Sequence, residues 1–185
     1  PHGAVLARVA WMRQHHGLTT ADRVLQFATV SFDTHVEEVY PALTAGAELV
    51  LLPPEEHLPD FLAGPHAAGL TVLDVPTPYW HDLVSHLSQV RLPESLRVTI
   101  IGADQARSTA VAAWREVVGD RVRLLNTYGP TETTVIASAA SLGADDTRRR
   151  PAIGRPLAGT RLMVLDAQGR LAPRGVPGEL FIAGD

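Results

Sequence analysis

Short, near-continuous apolar runs alternate with stretches of helical periodicity along most of the chain. The runs fall at residues 23–30, 48–52, 70–75, 97–101 and 122–125, with a further strand at 135–140. Between them, residues 3–16, 33–45, 55–68, 77–90 and 106–118 place apolar side chains at i, i+3 and i+4. Gly17 and Gly46 stand where helices should stop, and Gly64-Pro65 should break the third helix. Strands apolar on both faces must be covered on both faces, so the pattern predicts an α/β fold. It is a mostly parallel sheet flanked by helices, with right-handed crossovers.

The texture changes near residue 145. Residues 145–150 read DDTRRR, a charged linker, and two strand-like runs follow at 160–165 and 179–183 with turns between them. The division expected is a core at 1–144, a linker at 145–150, and the start of a small β subdomain (a partial barrel) at 151–185. With 185 residues and 45% hydrophobic content there is enough apolar material for a sizeable core. A formal charge of −4 with interspersed signs argues against nucleic acid as a partner. No apolar run approaches the roughly 20 residues of a membrane span, so no membrane partner is expected and the expected location is cytoplasmic. The chain starts at Pro1 without Met or a signal sequence, which suggests a piece of a longer polypeptide.

In open α/β sheets, ligands bind beyond the carboxyl ends of the strands. Four expected strand ends carry acids, amides or glycines: Asp33 after 23–30, Asp74 at the end of 70–75, Gly102-Ala103-Asp104 after 97–101, and Asn126 to Glu132 after 122–125. Taken singly, Asp33 reads as a helix N-cap, Gly102 as a turn glycine, and the last segment as a polar β-turn around Gly129-Pro130. Asp74 is harder to dismiss, because a carboxylate inside an apolar strand is costly unless paired or wet. Glu37 lies one helical turn after Asp33 on the same face, so one of Glu37 and Glu38 should point into the crevice. Together the four ends predict a binding crevice.

Several chemistries lack support. There is no cysteine, the eight histidines have no metal-ligand spacing, and GxGxxG, GxxxxGK[ST] and GxSxG are all missing. The segment Asn126-Thr127-Tyr128-Gly129-Pro130-Thr131-Glu132 instead combines a stacking ring, a phosphate-type donor and a metal-type acid.

Four motifs in order, FDTHVEEVYPALTAGAELVLL (32–52), NTYGPTETT (126–134), IGRPLAGTRLMVLD (153–166) and GELFIAGD (178–185), resemble the adenylation domains of nonribosomal peptide synthetases. These belong to the adenylate-forming superfamily, and the resemblance covers essentially the whole chain. It implies that an amino acid carboxylate attacks the α-phosphate of ATP, and that the acyl group then passes to the phosphopantetheine thiol of a peptidyl carrier domain. By the same resemblance Tyr128 would stack on adenine, with Asn126 and Gly129 beside it, and Gly102, Ala103 and Asp104 would line the adenine and the pocket floor. Thr131 would contact the α-phosphate and Glu132 would hold Mg²⁺, making these two the catalytic residues. Asp33 would pair with the substrate α-ammonium, and Thr34, Glu37, Asp74, Ile100, Gly102, Thr127, Val135 and Ile136 would line the side-chain pocket. Two acids in an otherwise small and apolar pocket suggest a cationic side chain, as in lysine, β-lysine or ornithine.

The chain also departs from the family pattern. Gly102-Ala103-Asp104 stands where Gly-Gly-Glu is usual, which leaves the role of Asp104 open, and His35 stands where a small residue is common. The family's Ser/Thr/Gly-rich phosphate loop, ribose-binding Asp and C-terminal subdomain with its catalytic Lys have no counterpart in these residues. The isolated chain is therefore expected to be inactive, its partners being the remaining parts of the same domain. Two rivals stay open: an acyl-CoA ligase of the same superfamily, which Asp33 disfavours, and a non-catalytic binding module.

Overall fold

The computed structural model describes residues 2–184. In chain order the elements are α1 (His2–His16), β1 (Arg23–Gln26), α2 (His35–Ala45), β2 (Glu48–Leu51), α3 (Leu58–Ala63), β3 (Val72–Pro76), α4 (Thr77–Ser85), β4 (Val98–Gly102), α5 (Ser108–Val118), β5 (Arg123–Tyr128), β6 (Ser138–Leu142), β7 (Arg155–Pro156), β8 (Thr160–Leu165) and β9 (Glu179–Gly184). Seven strands form one sheet in the order β2-β1-β3-β4-β5-β6-β7, and β8 pairs with β9 separately. The first five strands are parallel. β6 and β7 add antiparallel strands at one edge, and the β8–β9 pair is antiparallel.

The two-residue period of a strand sorts its side chains onto two covered faces. Leu25, Leu73, Val75, Ile101 and Leu124 point to one face, where Phe61, Trp80, Val111 and Trp114 from α3, α4 and α5 meet them. Trp80 and Trp114 are wholly buried, with ring centroids 6.0 Å apart; burying each stabilises by about 2–3 kcal/mol. Val24, Val72, Val98, Ile100 and Leu125 point the other way, against Ala42 of α2 and against Leu18. Asp74 follows Val72 by two, so it belongs to the α2 face, which is where the site forms.

Several boundaries differ from the expectation for physical reasons. β1 ends at Gln26, not at residue 30, because Glu38 takes the next two amides. Its carboxylate accepts hydrogen bonds from Phe27 N at 3.2 Å and Ala28 N at 2.9 Å, removing them from any ladder. α4 ends at Ser85, not at residue 90: Ser85 Oγ donates to Asp82 O at 2.7 Å, where the helix would need its own amide. β5 runs on through Tyr128, so Asn126, Thr127 and Tyr128 are strand residues paired with Ala140, Ala139 and Ser138. The turn proper starts only at Gly129. β6 is Ser138–Leu142, because Thr134 and Val135 have φ of 63° and 69°, outside strand geometry.

Residues 145–150 are not an open linker. A 3-10 turn, Ala144–Thr147, is closed by buried Asp146, whose Oδ2 accepts from Gly143 N at 2.8 Å. The large sheet then continues into β7, and the change of sheet comes after Pro156. Asn126 Nδ2 donating to Ala152 O at 2.9 Å and Ser138 Oγ donating to Ile153 O at 2.8 Å hold the approach to β7.

Candidate functional site

The carboxyl ends of β3, β4 and β5 converge with the start of α2 and the 129–136 turn. Between them lies a cavity of about 200 Å³ lined by Asp33, Thr34, Glu37, Asp74, Gly102, Thr127, Val135 and Ile136, with Phe32, Pro76, Ala103, Gly129, Pro130 and Thr131 completing it. Register explains the convergence: Asp74 pairs with Ile100, and Pro76 with Gly102, at the ends of adjacent parallel strands. Asp33 is not used as a side-chain cap. Thr34 occupies that position without a side-chain hydrogen bond, and Asp33 gives only its carbonyl, to Val36 N at 3.0 Å. Ile100, expected in the pocket, does not line it; it is buried among Leu18, Val24, Ala42 and Leu125.

Two glycines set the shape. A Cβ on Gly102 would lie 2.9 Å from Thr127 Oγ1, and one on Gly129 would lie 2.6 Å from Ile136 Cα and Val135 O. Both positions therefore keep the strand ends and the turn in close contact, with no side chain between. Val135 keeps its φ of 69° despite a branched Cβ, a strain on the order of 1–3 kcal/mol that tends to mark functional sites.

Two of the pocket's acids, Glu37 and Asp74, are buried, and among the described residues neither has a counter-ion. Thr127 Oγ1 donates to Glu37 Oε1 at 3.3 Å. Among the described residues, Glu37 Oε2 and Asp74 Oδ2 have no hydrogen-bond partner. Burial is the main influence on Glu37 and pushes its carboxyl up to about 8; the Thr127 hydrogen bond opposes this, and the charges of Glu38 and Asp33 add to it. Burial, then Glu37 and Glu38, hold Asp74 well above the usual carboxylate range. Glu38 is pushed up to about 7, burial outweighing the amides of Ala28 and Phe27. Of the two helix acids, Glu37 thus enters the crevice, while Glu38 secures the segment after β1.

A second cavity of about 340 Å³ adjoins the first. Ala103, Asp104, Gln105, Asn126, Thr127, Tyr128, Gly129, Arg150, Ile153 and Leu180 line it, so Ala103, Thr127 and Gly129 form a shared wall. Tyr128 offers a partly exposed ring, as stacking requires. The Asn126 amide is engaged by Ala152 O, and the Asp104 carboxylate accepts from Gln105 N at 2.6 Å. Sequence reading missed Gln105, Arg150, Ile153 and Leu180. Arg150 Nε donates to Gln105 Oε1 at 2.6 Å, a pairing across 45 residues that no local pattern announces.

The 3-10 turn Thr131–Thr133 sends Thr131 and Glu132 to different cavities. Thr131 lines the first cavity, whereas Glu132 lines a third, of about 310 Å³. No group of three or more His, Cys, Asp or Glu that could hold a metal occurs among the described residues. A lone Glu132 fits the way Mg²⁺ is usually held, by one or two carboxylates with substrate phosphate oxygens and waters.

A family model described as AMP-binding enzyme matches residues 1–185. Isonitrile lipopeptide synthase of Streptomyces coeruleorubidus is 42% identical over 191 residues, covering 100% of this chain and 12% of that protein. Bacitracin synthase 3 of Bacillus licheniformis is 31% identical over 188 residues, covering 100% of this chain and 3% of that protein. The chain thus spans a small part of the length of the relatives it matches. A solved nonribosomal peptide synthetase in an AMPPNP-bound form has a TM-score of 0.85 at 25% identity, covering 98% of this chain and 20% of that one. An artificially fused adenylation–PCP di-domain from Klebsiella oxytoca has a TM-score of 0.79 at 22% identity, covering 95% of this chain and 33% of that one, a likeness of fold alone. The family match over every residue, on a fold whose parallel strand ends build two adjoining cavities, shows that this chain belongs to the AMP-binding enzymes as a stretch of a nonribosomal peptide synthetase adenylation domain.

Proposed function

We propose that the chain supplies the amino-acid pocket, and one wall of the nucleotide site, of a domain that activates a basic amino acid such as lysine, β-lysine or ornithine. The reaction joins the amino acid carboxylate to the α-phosphorus of ATP and breaks the bond to the departing pyrophosphate. The acyl group then moves to a carrier-domain phosphopantetheine thiol. Asp33, at the mouth of the pocket, pairs with the α-ammonium. Glu37 and Asp74 face the side chain, Tyr128 stacks on adenine, and Thr131 donates to the α-phosphate. Glu132 is the carboxylate for Mg²⁺, which neutralises phosphate charge when bound. The large sheet through β7 and the β8–β9 pair divide the nucleotide between them, and the chain by itself does not turn over.

The observation that carries the substrate class is the pair of buried, unpartnered carboxyl oxygens, on Glu37 and Asp74, in a cavity of about 200 Å³. An uncompensated buried acid is costly, and an ammonium inserted between the two would remove that cost. ATP–pyrophosphate exchange by the full-length protein against a panel of amino acids tests this: basic amino acids give the strongest exchange. Strong exchange with leucine or phenylalanine and none with basic substrates sinks the reading. Exchange at a useful rate from residues 1–185 alone would contradict the inactivity of the isolated chain. An acyl-CoA ligase would instead turn over simple acids, for which Asp33 has no ammonium to meet.

A further inference from the structure

The third cavity lies among the first half of α1, residues 132–134 and the paired ends of β8 and β9, and shares no lining residue with the other two. Arg8 reaches it from α1 and is only 9% exposed. Its Nη2 donates to Thr160 Oγ1 at 2.6 Å. Among the described residues its Nε is buried with no partner, and no carboxylate lies within ion-pairing distance of it. Arg23, Arg97 and Arg115 all have such partners. Burial lowers the Arg8 pKa, yet an arginine starts too high to lose its charge near neutral pH. A buried guanidinium with free donors is built to receive an anion, and its planar fork suits phosphoryl oxygens.

Among the described residues, the other charged side chain lining the cavity is Glu132. A bare anion would meet Arg8 and be repelled by Glu132. A magnesium-complexed diphosphate satisfies both, offering oxygens to the guanidinium and metal to the carboxylate. The connection to the substrate pocket runs along one turn, because Thr131 lines that pocket and the next residue, Glu132, lines this cavity.

We propose that Arg8 is an anion-binding residue for the diphosphate end of the nucleotide, the part that leaves as magnesium pyrophosphate. This rests on the adenylation reading above. Nothing in the sequence singles Arg8 out, since one arginine on a helix reads as a solvated side chain; its burial against Thr160 of β8 is what changes its meaning.

The test is calorimetric titration of the full-length protein with magnesium pyrophosphate, with thermal unfolding followed in parallel. Arg8→Met, which keeps the stem and removes the donors, is expected to weaken binding on the order of tenfold to a hundredfold and to leave amino acid affinity unchanged. Arg8→Lys keeps the charge and loses the fork, and should weaken binding several-fold; it also serves if the methionine variant fails to fold. In exchange assays the same variants raise the KM for pyrophosphate and leave the KM for the amino acid alone. Wild-type pyrophosphate affinity in either folded variant overturns the assignment, as does equal binding of pyrophosphate with and without magnesium. If the wild-type protein shows no amino-acid-dependent exchange while magnesium pyrophosphate still binds through Arg8, the adenylation reading fails and the assignment of Arg8 stands.

Discussion

At the amino edge of the large sheet Asp22 is buried beside Arg97, and at the carboxyl edge Asp74 is buried beside Glu37. The first acid is fully answered. Its carboxylate accepts from Arg97 Nε at 2.9 Å, Thr71 Oγ1 at 2.7 Å and Thr19 N at 2.8 Å. Burial alone would raise its pKa, but hydrogen bonds from Arg97, Thr71 and Thr19 outweigh this and bring it down to about 2. The second acid is left unanswered and shifts the opposite way. Arg97 also donates to His16 O and Gly17 O, each at 2.9 Å, closing the end of α1. One edge therefore uses buried charge to tie elements together; the other holds buried carboxyls, raised by burial towards their neutral form, that only a group from outside the chain would answer. The contrast separates a structural acid from a site acid by partners, where burial alone does not.

Charge removal at the carboxyl edge should produce the largest effect. Glu37→Gln and Asp74→Asn keep shape and lose the ionised form, so kcat/KM for a basic substrate should fall by roughly a hundredfold, about 3 kcal/mol of lost pairing. Thermal stability should hold or rise, because both acids are costly when empty. Exchange kinetics over lysine, ornithine and leucine check this; an unchanged preference for basic substrates in either variant breaks the contrast between the edges.

The amino edge should respond in the reverse sense. Asp22→Asn removes the acceptor that holds Arg97, Thr71 and Thr19 together. Breaking a buried ion pair costs more than this, but the Arg97 side chain is 35% exposed, so the expected loss is about 2 kcal/mol. Denaturant midpoints measure it, with kcat/KM within about twofold of wild type for the folded fraction. A variant as stable as wild type would remove Asp22 as the counterexample.

Much of the fold could be read from the chain. The strand–helix alternation, the five parallel strands and the Gly17 and Gly46 stops follow from periodicity and backbone freedom, which are local properties. Asp74 stood out because an acid interrupts an apolar strand, and that signal is local too. What was hidden depends on segments that meet only after folding. The amides that end β1 are taken by Glu38, ten and eleven residues further along. β5 continues to Tyr128 because β6 arrives to pair with it, although Gly129-Pro130 had suggested an earlier turn. Ile100 stands level with Asp74 on the α2 face but is packed among Leu18, Val24, Ala42 and Leu125, neighbours that its own stretch of sequence cannot name. Arg8 acquires its partner 152 residues away.

Stability against pH should show both edges in one curve. Asp22 has a depressed folded pKa, so its contribution is present above the unfolded carboxylate pKa and is lost as pH falls from about 4 towards 2. Buried His16 is held down to about 3, first by burial and then by His15, Arg123 and Arg97. The unfolded chain takes up that proton near pH 6.5, so stability declines below it as well. Glu37 and Glu38, raised to about 8 and 7, act on the other limb. The folded state keeps protons there that the unfolded chain has released, so stability declines as pH rises from about 4.5 through 8. Thermal unfolding across pH 3–9 should therefore peak on the acid side of neutrality. Glu37→Gln should flatten the alkaline limb and leave the acid limb alone. A basic amino acid should flatten it as well, by exchanging an ammonium for the protons. An alkaline limb unmoved by Glu37→Gln would mean that the acids do not titrate as a buried group.

Backbone strain gives the smallest test of the same asymmetry. Among the described residues the non-glycine positions with positive φ are Ala103 at 67°, Thr134 at 63° and Val135 at 69°, all at the carboxyl edge. Ala103 is also where the resemblance to adenylation domains leads one to expect glycine. Alanine in this left-handed region costs about 1–2 kcal/mol. Glycine would relieve that and give back roughly 0.5–1 kcal/mol through the greater freedom of the unfolded chain. Ala103→Gly should then stabilise by about 0.5 kcal/mol, a rise of one or two degrees in Tm for a chain of this size. Ala103 lines both adjoining cavities, and glycine tolerates the same φ of 67°, so the backbone should keep its course and amino acid preference in exchange assays should not change. A glycine variant that melts lower would show that the alanine methyl contributes packing worth more than the strain it imposes, and that strain at this edge is not concentrated at the shared wall.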